Sequence, residues 1–229
     1  RYGFLPLSLQ KFLNTNNQKC QISASNRQLK KNTTCFLRQG VETSVNQSFI
    51  ACIAHILSER IQPDVITIRE MKKLFVDTLN IDKFMTLQNG NLVEVFYNKQ
   101  DDIEDTTDSQ DIKNFKHDFS DYLESKIYNS VDITIPSQRE FFKRVAVAYK
   151  NYKEFLLDDN IYIDYTYLWD LICIPDENLF VKGLNLLIFE MPEDDITDNI
   201  EILCPTNPYI SKLYDVNKPI VMLVKIGTQ

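Results

Sequence analysis

Apolar residues recur at helical spacing through the first two thirds of the chain and give way to short continuous runs in the last third. Phe49, Cys52, Ile53, Ile56 and Leu57 repeat every three or four residues, which predicts a core helix from about Asn46 to Arg60. Leu5, Leu9, Phe12 and Leu13 share one side of a shorter helix with Pro6 in its first turn, ended by an Asn-rich stretch. Thr67 with Glu70 and Ser137 with Glu140 both fit the capping box, in which hydroxyl and carboxylate satisfy two orphan backbone N–H groups, so helices are expected over 68–80 and 138–157. A further helix is expected over Ile112 to Tyr128, and a short aromatic one over Tyr165 to Ile172. In the 138–157 helix, Phe141, Val145, Ala148, Tyr152 and Phe155 form an apolar stripe, with Arg139, Lys143 and Lys150 opposite.

Beyond residue 180 the period changes. Leu184 to Glu190, Ile200 to Cys204 and Ile220 to Ile226 are apolar runs bounded by Pro, Asn, Asp and Gly, and read as three strands. Helices first and strands later predict an α+β fold with segregated layers, closing on an antiparallel sheet in the C-terminal third. No internal repeat interrupts this order, so residues 1–229 read as one domain. The beginning, Arg1-Tyr2-Gly3-Phe4, has neither a methionine nor a signal-peptide layout, and the end falls just past a strand, so the chain reads as a segment of a longer polypeptide.

Composition narrows the chemistry. With 44% hydrophobic residues in 229 the chain buries roughly 70 to 75% of its unfolded surface. Five glycines are few, and none forms a phosphate-cradling loop. Cys20, Cys35, Cys52, Cys173 and Cys204 lack the close pairing of zinc sites, and their odd number argues against a complete disulfide framework, which makes a reducing compartment the simpler expectation. No run reaches the ~18 apolar residues of a membrane span. No cofactor or metal is predicted. The net charge of −7 disfavours non-specific nucleic-acid binding by the segment as a whole, and much of the excess lies in an acidic tract, Asp101, Asp102, Glu104, Asp105, Asp108 and Asp111, expected as a mobile loop over 99–111.

The one step with the look of chemistry is Asn46-Gln47-Ser48-Phe49, where a loop turns into the core helix. Papain-like cysteine proteases place their nucleophile at such a step, because the helix N-terminus favours a thiolate. Ser48 stands there as an alcohol. A nucleophile needs a base within about 3 Å, and the chain has two histidines. His55 follows Ser48 by seven residues, about 10 Å along the helix axis. His117 follows the acidic tract, where a solvated role is expected. Cys52 falls a turn inside the helix on its apolar stripe, where burial makes a thiol inert. Ser48 is therefore read as a relic nucleophile position or a helix-start residue, with no catalytic residue assigned. Arg139, Lys143 and Lys150 are candidate phosphate contacts, as is the basic cluster Arg27, Lys30, Lys31 and Arg38. Glu193, Asp194 and Asp195 read as a solvated turn, and Tyr162, Tyr165, Tyr167 and Trp169 as core or partner surface.

Several short pieces resemble one family. Arg1-Tyr2-Gly3-Phe4-Leu5-Pro6, Lys11-Phe12-Leu13-Asn14, Asn26-Arg27-Gln28-Leu29-Lys30 and Phe36-Leu37-Arg38-Gln39-Gly40 resemble the large subunit of the poxvirus early transcription factor. Tyr167-Leu168-Trp169-Asp170, Asp194 to Asn199 and Cys204-Pro205-Thr206-Asn207 are similar to the versions in other large nucleocytoplasmic DNA viruses. The resemblance implies a cysteine-protease-like architecture without activity, in a transcription initiation factor that works with a helicase-like small subunit, the viral RNA polymerase and promoter DNA. It also implies a location in the virion and the cytoplasmic viral factory. Where such a fold supplies its histidine this chain has Pro208-Tyr209. The alternatives are an active cysteine or serine hydrolase, such as a deubiquitinase or processing protease, and a structural protein of the virion.

Overall fold

The computed structural model describes residues 2–26, 28–61, 65–98, 109–191, 199–203 and 214–226. Strand β1 (Tyr2–Gly3) pairs antiparallel with β2 (Arg38–Gln39), bracketing helix α1 (Leu7–Phe12) and a 3-10 turn over Asn17–Cys20. The Asn16 side chain accepts from the N–H groups of Gln18 and Lys19 to start that turn. Cys20 and Cys35 are disulfide-bonded, with Cα atoms 6.4 Å apart. This bridge does not fit the simpler expectation of a reducing compartment. An odd count excludes a complete framework and leaves room for one bridge, and this one closes a basic loop that offers little apolar surface of its own.

The helices follow. They are α2 (Ser48–Ile61), α3 (Ile68–Asp77), α4 (Ile81–Thr86), α5 (Asn91–Phe96), α6 (Ser109–Asp118), α7 (Lys126–Ser130), α8 (Pro136–Leu157) and α9 (Tyr165–Cys173). The Thr67–Glu70 capping box forms as expected, the hydroxyl accepting from Glu70 N–H and the carboxylate from Thr67 N–H. The helix then stops at Asp77 and not at 80, because Asn80 caps α4 by accepting from Lys83 N–H at 2.8 Å. The single helix expected over 112–128 is broken. Ser125 caps α7, and the Asp82 carboxylate accepts from the N–H groups of Lys126 and Ile127 at 2.9 Å each, so a new helix start competes with continuation. No Ser137 cap forms on α8, whose first position is taken by Pro136.

The buried stripe of α8 is Phe142, Val145, Ala146, Ala148, Tyr149, Tyr152 and Leu156, with Phe141 left 45% exposed. The face is thus rotated by about one residue from the expected one. It packs on α3, α4 and α5, where Phe142 gathers the rings of Phe115, Phe119, Tyr122 and Tyr128 within 5.2–6.1 Å, and Phe96 those of Tyr152, Phe155 and Tyr167 within 5.0–5.8 Å.

The C-terminal sheet has the order β4 (Glu201–Leu203), β3 (Asn185–Met191), β5 (Ile220–Ile226). It is mixed and not purely antiparallel. β4 runs antiparallel to β3, whereas β5 runs parallel to it on the other side, in register from Asn185↔Ile220 to Met191↔Ile226. The central place of β3 follows from its burial. Leu186 and Ile188 face the helical core, while Phe189 and Met191 pack with Leu5, just before α1, and Leu9 of α1 on the opposite face. A strand buried on both faces is most stable in the middle, with a neighbour on each edge. The structure is therefore α+β with its helices mostly N-terminal, as expected.

Of the turns with left-handed backbone, two bear on the core. Gln88, Asn89 and Gly90 have φ of 48°, 58° and 83° in succession, held where the buried Asp170 carboxylate accepts from Gln88 N–H at 2.6 Å. Gly183 has φ 69°, and a Cβ there collides with the Cys173 carbonyl oxygen. Gly183→Ala is expected to destabilise the fold by at least ~2 kcal/mol, from the left-handed penalty plus that collision, and urea denaturation reads it directly.

Candidate functional site

The start of α2 is built by its neighbours. The Ser44 hydroxyl accepts from Gln47 N–H at 3.1 Å, closing the chain into the helix entry. Asn46 donates its amide to the Asn160 carbonyl at 3.0 Å and accepts from Ile163 N–H at 3.1 Å. Gln47, buried, donates through Nε2 to the carbonyls of Ile161 at 2.6 Å and Asp158 at 3.4 Å. Its Oε1 has no hydrogen-bond partner among the described residues, so the amide is held by its nitrogen alone. From α3, Lys72 buries its stem until only 2% remains exposed, and its Nζ donates to the Asp158 carbonyl at 2.9 Å and Asp159 Oδ1 at 2.8 Å. Loop 158–163, which leaves α8, is thereby fastened to α2 and α3. Ile163, fully buried, anchors its far end.

Ser48 is the first residue of α2 and half-buried. His55 lies two turns along the same helix, its Nε2 3.2 Å from Glu59 Oε1 on the next turn. His117 is exposed on α6. His55, seven residues along the helix axis, is not placed beside Ser48 as a base. Cys52 is half-buried on the flank of α2, since the buried stripe is Ile50, Ile53, Ala54 and Leu57. Burial pushes its thiol up to about 11, so it is protonated at neutral pH. Cys173, in the core, is pushed up to about 12 by the same cause. Among the described residues no group of three His, Cys, Asp or Glu side chains is arranged to hold a metal ion, and no helix is long and apolar enough to cross a membrane.

The three candidate phosphate contacts on α8 sit in different surroundings. Arg139 is 3% exposed and donates through Nη1 to the Ile133 carbonyl at 2.7 Å. It stands three and seven residues before Phe142 and Ala146, on the buried stripe itself. Lys143 is half-buried, and Lys150 is exposed 3.9 Å from Glu154. Of the N-terminal cluster, Lys31 and Arg38 are exposed, and Lys30 donates to the Lys19 carbonyl at 3.0 Å. Arg27, residues 99–108, Glu193 to Asp195, Cys204 and Pro208-Tyr209 lie outside the described residues. Tyr162 is exposed, Tyr165 and Tyr167 half-buried and Trp169 buried.

Asn46, Gln47 and Lys72 carry the local architecture, and the sequence offered one signal for them. Lys72 lies between Met71 and Phe75 on the apolar stripe of α3, where an ammonium must find carbonyl or carboxylate partners. A half-buried pair, Lys83 with Asp176 at 2.5 Å, ties α4 to the turn after α9. Compared with protein-family models, curated proteins and solved structures, this chain matches none.

Gln47→Ala removes two buried donors and strands the Ile161 carbonyl, so it is expected to cost about 2 kcal/mol, whereas Ser48→Ala stays within about 0.5 kcal/mol of wild type. Urea titration of both variants makes the comparison.

Acid dependence follows from the two ion pairs. Hydrogen bonding by Lys72 holds the Asp159 carboxyl below its ordinary value. At Asp176, burial pushes upward, and the Lys83 ammonium with the N–H groups of Asn178 and Leu179 outweighs it, leaving the carboxyl below its ordinary 3.8. A carboxyl depressed on folding stabilises fully above its unfolded pKa and loses that contribution as pH falls through the folded value. The stability gap between wild type and Asp176→Asn is therefore expected to shrink as pH drops below about 4, as followed by chemical denaturation across pH.

Proposed function

We propose that this chain is a non-catalytic docking domain of a viral early transcription initiation factor, in contact with the helicase-like small subunit, the RNA polymerase or promoter DNA. The observation that carries the non-catalytic part is the commitment of the Asn46-Gln47 side chains to loop 158–163. A nucleophile site needs polar groups converging on the reacting atom. Here the polar groups beside Ser48 converge on backbone carbonyls of the fold. The transcription-factor part is supported by the N-terminal and aromatic motifs. Of their apolar members, Leu5, Leu168 and Trp169 are buried, while Tyr2, Phe4, Phe12, Leu29 and Phe36 are exposed, so those motifs combine scaffold with apolar surface open to a partner.

Deleting residues 1–229 from the parent chain is expected to abolish assembly of the promoter-bound complex with small subunit and polymerase, as seen by native gel or mass photometry. Undiminished assembly would sink the docking role. The folded domain is also expected to resist fluorophosphonate and vinyl-sulfone probes. Labelling that disappears in Ser48→Ala or Cys52→Ala would instead establish a hydrolase.

A further inference from the structure

Charge is distributed unevenly along the chain. Residues 1–47 contain seven Lys and Arg and a single acidic residue, Glu42, giving +6. The whole chain carries −7, so residues 48–229 carry −13. Within the basic segment lies an open cavity of about 500 Å³, lined by Phe4, Pro6 and Leu7 and by the cationic Lys11 and Arg38. Its apolar residues are open to solvent: Leu7 is 71% and Phe4 37% exposed.

The cavity rests on a fixed frame. The Asn17 side chain, fully buried, accepts from Leu5 N–H at 2.8 Å and donates to the Phe36 carbonyl at 2.7 Å. Gln10 donates to the Leu5 carbonyl at 2.7 Å and accepts from Asn17 N–H at 2.8 Å. The Cys20–Cys35 bridge ties the 3-10 turn to the segment leading into β2, which carries Arg38. Such a frame limits the ordering cost of binding. Its volume falls within the usual ligand range of about 300–1,000 Å³.

We propose that this cavity docks a short acidic peptide segment of a partner protein, an apolar side chain resting against Phe4 and Leu7 while carboxylates meet Lys11 and Arg38. Arg38 can present its planar fork to a carboxylate, and Lys11 a point charge. The remainder of the chain argues for a short acidic occupant over a nucleic acid. A peptide of a few residues stays within a Debye length, about 8 Å at physiological salt, of the two cations. A polyanion continuing past the segment meets a surface of opposite net charge to the pocket. The proposal rests on the docking reading only for the partner's identity, since peptide binding is measured on this chain alone and complex assembly on the parent.

The test is fluorescence anisotropy with the probe fluorescein-Asp-Glu-Leu-Phe-Asp-Glu, its amide counterpart Asn-Gln-Leu-Phe-Asn-Gln, and labelled oligothymidylate. The acidic probe is expected to bind about tenfold more tightly than the amide probe, to weaken as salt rises and to outcompete oligothymidylate at physiological salt. Lys11→Glu combined with Arg38→Glu is expected to weaken it by about tenfold or more, while Lys182→Glu, an exposed charge elsewhere, leaves it unchanged. Equal affinity for acidic and amide probes, tighter binding of oligothymidylate, or indifference to the double substitution in a protein that melts normally would each overturn the proposal. Should the double variant not fold, the probe and salt comparisons on wild type decide alone.

Discussion

The fold hangs on α8. Its apolar stripe fills the centre of the helical layer, and polar tips on and beside the stripe reach past it to backbone carbonyls in four other segments. Arg139 donates to Ile133, Tyr149 to Leu79 at the end of α3, Asn151 to Phe96 at the end of α5, and Tyr152 to Tyr167 in the first turn of α9. The last carbonyls of a helix lack intrahelical partners, and at Phe96, the last residue of α5, α8 supplies the missing donor. A buried side chain with a polar tip thus both fills volume and sets orientation, and each such bond is strengthened by the low-polarity surroundings. Tyr152, wholly buried, has its hydroxyl pushed far toward the neutral form by that burial.

Everything at the start of α2 follows from where α8 ends. Once α8 is seated, Asp158 to Ile163 pass over the entry of α2, where Asn46, Gln47 and Lys72 supply donors to the carbonyls of Asn160, Ile161 and Asp158. The Asn-Gln pair is therefore explained by the loop that crosses it. The sheet takes its form from a similar demand. β3 is covered by the helices on one face and by α1 on the other, so the N-terminal segment is a third layer laid against the sheet, and the basic cavity lies on that layer's outer part.

The sequence disclosed whatever depends on period and local chemistry. The α2, α3, α8 and α9 spans and the three C-terminal strands were legible from apolar spacing, and Thr67–Glu70 from its capping pattern. What escaped depended on distant partners. Helices α4 and α5 are six residues each and too short to display a period. The break between α6 and α7 is imposed by Asp82, more than forty residues away. The rotation of the α8 face, which turns Arg139 inward, arises because Ile133 offers it a carbonyl. The Cys20–Cys35 bridge hid behind an odd cysteine count. At the candidate site the sequence drew the eye to Ser48, whereas the structure gives the tertiary work to its two predecessors, whose amides carry no motif.

Native-state hydrogen exchange resolved by residue tests the central claim, that loop 158–163 is locked to α2 through Asn46 and Gln47. The Ile163 amide, which donates to the Asn46 carbonyl, should exchange with the protection of the buried α8 amides and open together with them. An Ile163 amide exchanging orders of magnitude faster than those of α8 would mean that the loop opens independently, and would contradict the account.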